Sequence, residues 1–277
     1  MWDAILDAVI DSLKMLPFLF LAYLLLEYLE HSKGQKFQNT LVKRRKWGSV
    51  GGALLGCIPQ CGFSVAAANL FSGRVITAGT LVAVFISTSD EAIPILLSSP
   101  ENAGIVIKVL LWKVGIAVAA GLLLDFVILR KNKSVAVNPN NIHEYCEEHM
   151  SARGILVAAL KHTCYISLFI LAVLLALNTA IYLIGEERLA SILMSNTLLQ
   201  PVIAGLIGFI PNCAPSVILT QLYVAGSLSF GSLLSGLITA GGMGIVVLLK
   251  SNRNLKQNLG LLGYIYLIAV VTGIVLF

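Results

Sequence analysis

Two apolar stretches of the sequence are interrupted by related motifs, GCIPQCG at residues 56–62 and FIPNCAP at residues 209–215. Proline lacks a backbone N–H and glycine is conformationally permissive, so a helix is expected to break at either motif. We therefore predict that stretches 48–72 and 198–223 each fold as two half-helices. Inside a membrane, such a break is tolerated only where it is buried in protein or lines a water-filled cavity.

The composition places these breaks in a membrane protein. Of the 277 residues, 57% are hydrophobic and only 12% are charged, whereas about a quarter of the residues in soluble domains are charged. A chain this apolar excludes a soluble globule and a disordered protein. Five cysteines are too few for a disulfide-stapled secreted domain. No GxxxxGK[ST] motif is present, so the chain is not predicted to be an ATPase.

The apolar runs predict an all-α polytopic protein of about ten helices. A membrane-spanning helix needs about 20 mostly apolar residues. Each half of the chain is predicted to contain three spans plus one broken helix or re-entrant hairpin. The predicted continuous spans are 15–30, 75–98, 103–129, 164–185, 228–249 and 259–277.

The distribution of lysine and arginine predicts the orientation. Basic residues concentrate in segments 31–47, 130–133 and 250–256, which the positive-inside rule places in the cytoplasm. Connections 99–102 and 224–227 contain no lysine or arginine and are expected outside. This path puts the N-terminus outside and gives each half an odd number of crossings. We expect a multi-pass protein of the cytoplasmic (inner) membrane.

The two halves are related by an internal repeat. Residues 58–97 align with residues 210–249 without a gap, and twelve of the 40 positions are identical. Because each half crosses an odd number of times, the repeats are predicted to be inverted. We predict a first repeat at 1–133, a cytoplasmic linker at 134–152 and a second repeat at 153–277. Inverted repeats with broken helices are typical of secondary transporters, whose site lies near the midplane between the repeats.

Four sequence blocks resemble a known family. They are GCIPQCGFS at 56–64, STSDEAIP at 87–94, ALKHT at 159–163 and FIPNC at 209–213. The chain resembles the ten-helix heavy-metal exporter family, a relative of the arsenical permeases, whose members are labelled arsenic efflux protein or manganese transporter. The resemblance extends over nearly the whole chain. It implies a ten-helix fold and the export of a metal or metalloid.

Cysteines at the two breaks are the candidate substrate and metal ligands. Helix N-termini meeting at the midplane would favour an anion or a thiolate. Cys61 and Cys213 occupy equivalent positions, and Cys57 is a candidate third ligand. Three thiolates suit a soft ion such as a trivalent arsenical, although cysteine also packs well as a small apolar residue. The other residues expected to line the site are Gln60, Asn212, Pro59, Pro211, Ser64 and Ser216.

Two acidic residues are the candidate coupling site. Asp90 and Glu91 lie in an otherwise apolar span, and intramembrane carboxylates are costly and usually functional. A buried carboxylate that binds a proton could couple export to proton entry. The alternative is a fixed ion pair with Lys113 or Lys108 of the next span. Asp125, near the cytoplasmic end of that span, is expected at the membrane interface.

Two further features carry weaker expectations. His143, Cys146 and His149 have metal-ligand spacing, but three residues on a short loop are more often a solvated linker than a zinc site. Glycines in segment 241–244 are expected to allow close helix packing, with a hinge as the alternative.

These observations favour a secondary-active exporter of a soft metal or metalloid, and a trivalent arsenical is the leading solute. Manganese would prefer the oxygen ligands of Asp90 and Glu91, and a small organic anion would use helix N-termini with Lys113. The alternative class is a membrane thiol oxidoreductase using Cys57 and Cys61, but their Cys-x3-Cys spacing is unusual for one. We therefore expect no enzymatic activity, no cofactor and no nucleic-acid partner. The expected partners are the solute and the lipid bilayer, and a homo-oligomer stays open.

Overall fold

The computed structural model describes residues 47–58, 61–88, 92–97, 103–131, 198–211 and 214–277, with scattered helical positions within 16–24 and 156–175. The described part of the chain contains helices and no strand, as predicted. Ten helices are delimited within it. They are α1 Gly48–Gly56, α2 Cys61–Ser72, α3 Ala78–Ser87, α4 Ala92–Leu97, α5 Ala103–Lys131, α6 Gln200–Gly208, α7 Ala214–Val224, α8 Phe230–Thr239, α9 Met243–Ser251 and α10 Leu255–Val275.

Both predicted breaks are confirmed. Helix α1 ends at Gly56 and α2 begins at Cys61, while α6 ends at Gly208 and α7 begins at Ala214. These four helices have 9 to 12 residues. With a rise of about 1.5 Å per residue, none of them crosses a hydrocarbon core of about 30 Å. They are half-helices.

The prediction of continuous spans at 75–98 and 228–249 is wrong, because each span is split into two helices. The first divides into α3 and α4, since Thr88 leaves the helical region with ψ 130°. Pro94 lies in the first turn of α4, where the missing N–H does no harm, whereas a proline in the interior of one continuous helix is unfavourable. The second divides into α8 and α9 at Gly242, which has φ 54° and ψ −144°.

The long helices agree with prediction. Helices α5 and α10 have 29 and 21 residues and correspond to the predicted spans 103–129 and 259–277. Within the described residues, three segments are long and apolar enough to cross a membrane: Gly104–Val127, Phe230–Ser251 and Leu255–Val275. The middle one consists of α8 and α9 with their break. Predicted spans 15–30 and 164–185 lie mostly outside the described residues.

The helices reproduce the internal repeat at the sequence offset of 152 residues. Helix α1 has the same limits as α6 at this offset, α3 has the same limits as α8, and α5 begins where α10 begins. The caps repeat as well. Thr77 caps α3 by accepting from the Thr80 N–H, and Ser229 caps α8 by accepting from the Ser232 N–H. The repeat is therefore structural.

A glycine pair fixes the same close helix contact in each repeat. A Cβ added to Gly79 of α3 would lie 2.1 Å from the carbonyl oxygen of Gly121 in α5, and one added to Gly231 of α8 would lie 2.3 Å from that of Gly273 in α10. Only glycine permits backbones to approach this closely. Helix α3 therefore packs on α5 as α8 packs on α10.

Helices α3 and α5 run antiparallel. Gly79, early in α3, lies against Gly121, late in α5. At the other end of α3, the Thr88 carbonyl accepts a hydrogen bond from Lys113, earlier in α5. Residues later in α3 therefore contact residues earlier in α5.

Helices α5 and α8, from different repeats, run parallel. The Lys108 ammonium lies 4.3 Å from the centre of the Phe230 ring at the start of α8, and Lys113 donates to the Leu237 carbonyl further along. Because α3 is antiparallel to α5 and α5 is parallel to α8, the equivalent helices α3 and α8 run in opposite directions. The repeats are thus inverted, as predicted. They exchange contacts reciprocally, with α2 packed on α9 and α7 on α4.

Candidate functional site

The C-termini of α3 and α8 meet at one buried lysine. Lys113 of α5 is completely buried. Its Nζ donates to the carbonyl oxygen of Thr88, the C-cap of α3. It also donates to the carbonyl oxygen of Leu237, in the last turn of α8, at 2.7 Å. One side chain therefore joins the interruption of the first repeat to that of the second.

The position of Lys113 along α5 places it deep in the predicted membrane. It lies ten residues after Ala103, the start of α5, which is about 15 Å along the helix axis. That distance is half the thickness of a typical hydrocarbon core of about 30 Å. The equivalent residue of the second repeat is Ile265, which is also buried. The equivalent position of the second repeat therefore carries no cation.

Cys57 lies close to this point. It is the C-cap of α1, is partly exposed and is not in a disulfide. Its Sγ donates to the Ala53 carbonyl at 3.2 Å, and Lys113 is near enough to act electrostatically on the thiol. Gly56 allows the end of α1 to pack closely against the end of α3, because a Cβ at this position would lie 2.0 Å from the Ser87 hydroxyl. The structure therefore brings the predicted residues Cys57 and Lys113 to the same region.

Ser64 and Ser216 are buried at equivalent positions of α2 and α7. Ser64 packs directly on α9, since a Cβ added to Gly244 would lie 2.7 Å from the Ser64 Cβ. The predicted packing role of segment 241–244 is confirmed at Gly244, while Gly242 forms the break itself. The Ser216 carbonyl accepts from the Thr220 hydroxyl at 2.6 Å within α7.

The remaining predicted site residues are described only in part. Cys61 begins α2, and only its backbone is described; Pro211 follows α6 and is partly exposed. The others lie outside the described residues, so their predicted roles stay predictions. They are Pro59, Gln60, Asn212, Cys213, Asp90, Glu91, His143, Cys146 and His149.

Asp125, which we expect at the membrane interface, is buried within the protein. Only 7% of its surface is exposed. Its carboxylate accepts from the Ser49 hydroxyl at 3.1 Å, the Thr77 hydroxyl at 2.7 Å and the Gly79 N–H at 2.9 Å. It thus caps the N-terminus of α3, where a negative charge is favourable. The hydroxyl partners on α1 and at the start of α3 were not recognisable as partners in the sequence.

In the second repeat, a neutral residue caps the equivalent helix end, the N-terminus of α8. Gln200, the first residue of α6, is buried. Its Oε1 accepts from the Ser229 N–H at 3.2 Å and the Ser232 hydroxyl at 2.8 Å, and its Nε2 donates to the Ser227 carbonyl. An amide therefore takes the place of a carboxylate at the N-terminus of α8.

The comparisons with known proteins add a family. Among the described residues, no group of three or more histidine, cysteine, aspartate or glutamate side chains is arranged to hold a metal ion. Neither the curated proteins nor the solved structures give a significant match. One family profile matches residues 2–183, 119–248 and 151–276, which together extend over nearly the whole chain. The chain, an all-α polytopic membrane protein, belongs to the family described as "Putative, 10TM heavy-metal exporter".

Proposed function

We propose that this chain is a secondary-active exporter of a soft metal or metalloid, with a trivalent arsenical as its best solute. In this proposal the solute binds between the helix breaks of the two repeats, with Cys57, Cys61 and Cys213 as sulfur ligands. Membership of a heavy-metal exporter family supports metal transport in general. The proposal includes residence in the cytoplasmic membrane with the N-terminus outside.

One observation carries the proposal: Lys113 bonds to the C-terminal ends of both α3 and α8. The interruptions that follow α3 and α8 therefore adjoin one another in the interior, in the region of Cys57 at the end of α1. A site shared between inverted repeats suits alternating access, because rocking one repeat against the other opens it to either side in turn.

The chemistry of Cys57 supports a soft solute. Its thiol is partly exposed, outside any disulfide and next to the break of the first repeat. Sulfur ligands select soft ions over hard ones such as manganese. The thiol proton now hydrogen-bonded to the Ala53 carbonyl would leave when a metal binds, because the thiolate is the ligand.

The other proposed roles follow from position in the sequence repeat. Asp90 and Glu91 would carry the coupling proton beside Lys113, since Thr88, whose carbonyl Lys113 contacts, is two residues before Asp90. The second repeat has Gly242 and Met243 there, so coupling would reside in one repeat. The proposed lining of the solute site is Gln60, Asn212, Pro59, Pro211, Ser64 and Ser216.

The proposal is tested by measuring accumulation of trivalent arsenicals in cells that express the chain. We expect lower accumulation with the wild type, and loss of this effect in Cys57→Ser, Cys61→Ser and Cys213→Ser. Serine keeps the size of the side chain but replaces a soft ligand with a hard one. Cys164→Ser is the matched control, because Cys164 is exposed and outside the breaks. It should export as the wild type does.

Other results would revise the proposal in defined ways. Arsenical accumulation equal in cells with and without the chain would contradict it. Lower manganese accumulation, lost in Asp90→Asn but retained in the cysteine variants, would move the solute site to the carboxylates. A protonophore dissipates the proton gradient across the membrane. Export that continues unchanged in its presence would contradict the coupling role of Asp90 and Glu91.

A further inference from the structure

The contact between Lys113 and two helix ends has the form of a cation site. The C-terminal carbonyls of a helix lack helical donors and carry partial negative charge. In transporters with broken helices, such half-helix C-termini coordinate the coupling cation. Here the carbonyls of Thr88 and Leu237, one from each repeat, converge on a single ammonium group.

Both carbonyls lie where their helices stop. Thr88 is the C-cap of α3, so its carbonyl points past the last turn. In α8 the Ala240 N–H still donates to the Gly236 carbonyl, but the Gly241 N–H donates to Thr239 at 2.7 Å. The regular helical donor of the Leu237 carbonyl has thus turned away, and this oxygen accepts from Lys113.

The cation in this position is fixed to the protein. The Lys113 side chain is completely buried, and it crosses from α5 to the end of a helix in the other repeat. Its counterpart, Ile265, cannot supply a charge. The two repeats therefore share one cation at their junction.

We infer that the carbonyl oxygens of Thr88 and Leu237 form a monovalent-cation site. The ammonium group of Lys113, which is attached to the protein, occupies this site in place of a free cation. The protein then needs no soluble cation to hold the ends of α3 and α8 together. Removing the lysine side chain opens the site to a primary alkylammonium ion or an alkali cation. This inference does not depend on which solute is exported.

The test is chemical rescue of Lys113→Ala, followed by thermal unfolding of the purified full chain in detergent. Alanine keeps the Cβ, and propylammonium supplies the three carbons and the ammonium group that the variant lacks. We expect the variant to lose roughly 10 °C in its unfolding midpoint, because two carbonyls lose a buried cation. Millimolar propylammonium should restore at least half of that loss, whereas uncharged propan-1-ol should restore none.

Two variants control for volume and for folding. Lys113→Met fills the space without a charge, so propylammonium should not stabilise it. Lys113→Arg keeps a cation that can donate to both carbonyls and should unfold at a higher temperature than Lys113→Met, even if Lys113→Ala cannot be purified. Equal stabilisation of wild type, Lys113→Ala and Lys113→Met by propylammonium would overturn the inference. So would a Lys113→Met variant as stable as Lys113→Arg.

Discussion

The first and second repeats share their packing but differ in their charges. Each repeat packs a glycine of its central helix on a glycine of its long helix, Gly79 on Gly121 and Gly231 on Gly273. Within the part of the chain that the structure describes, the buried charged side chains, by contrast, lie in the first repeat. Lys113 and Asp125 are buried there, and their counterparts in the second repeat are Ile265 and Phe277.

The shared packing and the unshared charges have different physical reasons. Helix packing must work separately in each repeat, so its small residues occur twice. A charge at the junction serves both repeats at once, because the ammonium of Lys113 reaches carbonyls of α3 and α8 together. A second buried cation at that junction would add repulsion without a new partner.

The largest expected effect tests the shared packing. Gly79→Ala and Gly231→Ala should each destabilise the protein by about 3 kcal/mol, because the added methyl group meets backbone that cannot rotate away. The two losses should agree within about 1 kcal/mol. Gly51→Ala is the control, since no atom lies within 4 Å of its added Cβ. Thermal or denaturant unfolding in detergent measures all three.

A clear disagreement between the glycine variants would break the comparison. If Gly79→Ala were tolerated as well as Gly51→Ala while Gly231→Ala was not, the two repeats would not share their packing.

A smaller effect is expected where a carboxylate in one repeat corresponds to an amide in the other. Asp125→Asn should cost about 2 kcal/mol, because three donors lose a charged acceptor and the start of α3 loses a favourable negative charge. Gln200→Glu should cost about as much, because the acceptor contacts of Oε1 survive but a buried carboxylate oxygen would then face the Ser227 carbonyl oxygen. The same unfolding assay compares them. An Asp125→Asn variant as stable as the wild type would show that the charge does not strengthen the cap of α3.

The smallest effect concerns the ends of α2 and α7. Arg74 has φ 63° where the second repeat has Gly226 with φ 74°, and both follow the same C-terminal hydrogen-bond pattern. Arg74→Gly should stabilise the protein by about 1 kcal/mol, because glycine adopts positive φ without strain. Gly226→Ala should destabilise it by a similar amount. If Arg74→Gly lowered the unfolding midpoint, contacts of the arginine side chain would outweigh the backbone strain.

Part of this architecture could be predicted because it depends on residue type alone. Proline in both motifs, with glycine in 56–62, disclosed two breaks, and identities at a constant offset disclosed the repeat. The helix ends at Thr88 and at residues 240–242 escaped prediction, because the apolar runs 75–98 and 228–249 are as long as continuous spans. Glycines of the second run were assigned to packing, which Gly244 provides, while Gly242 ends the helix.

The partners of the buried charges could not be predicted. A fixed ion pair with Asp90 or Glu91, which lie outside the described residues, was one alternative for Lys113. Its described partners include backbone carbonyls, which every residue possesses and which a sequence cannot single out. Asp125 was assigned to the interface from its position near the end of α5. Only the packing of α1 and α3 on that end of α5 shows its hydrogen-bond donors.

The central claim, a thiol site between the breaks, is tested most directly by X-ray absorption spectroscopy of the purified chain loaded with arsenite. The spectrum reports whether sulfur or oxygen atoms surround the arsenic. We expect three sulfur neighbours in the wild type and in Cys164→Ser, and fewer in Cys57→Ser, Cys61→Ser and Cys213→Ser. Arsenic surrounded only by oxygen in the wild type would contradict the account. So would a number of sulfur neighbours that is the same in all three variants as in the wild type.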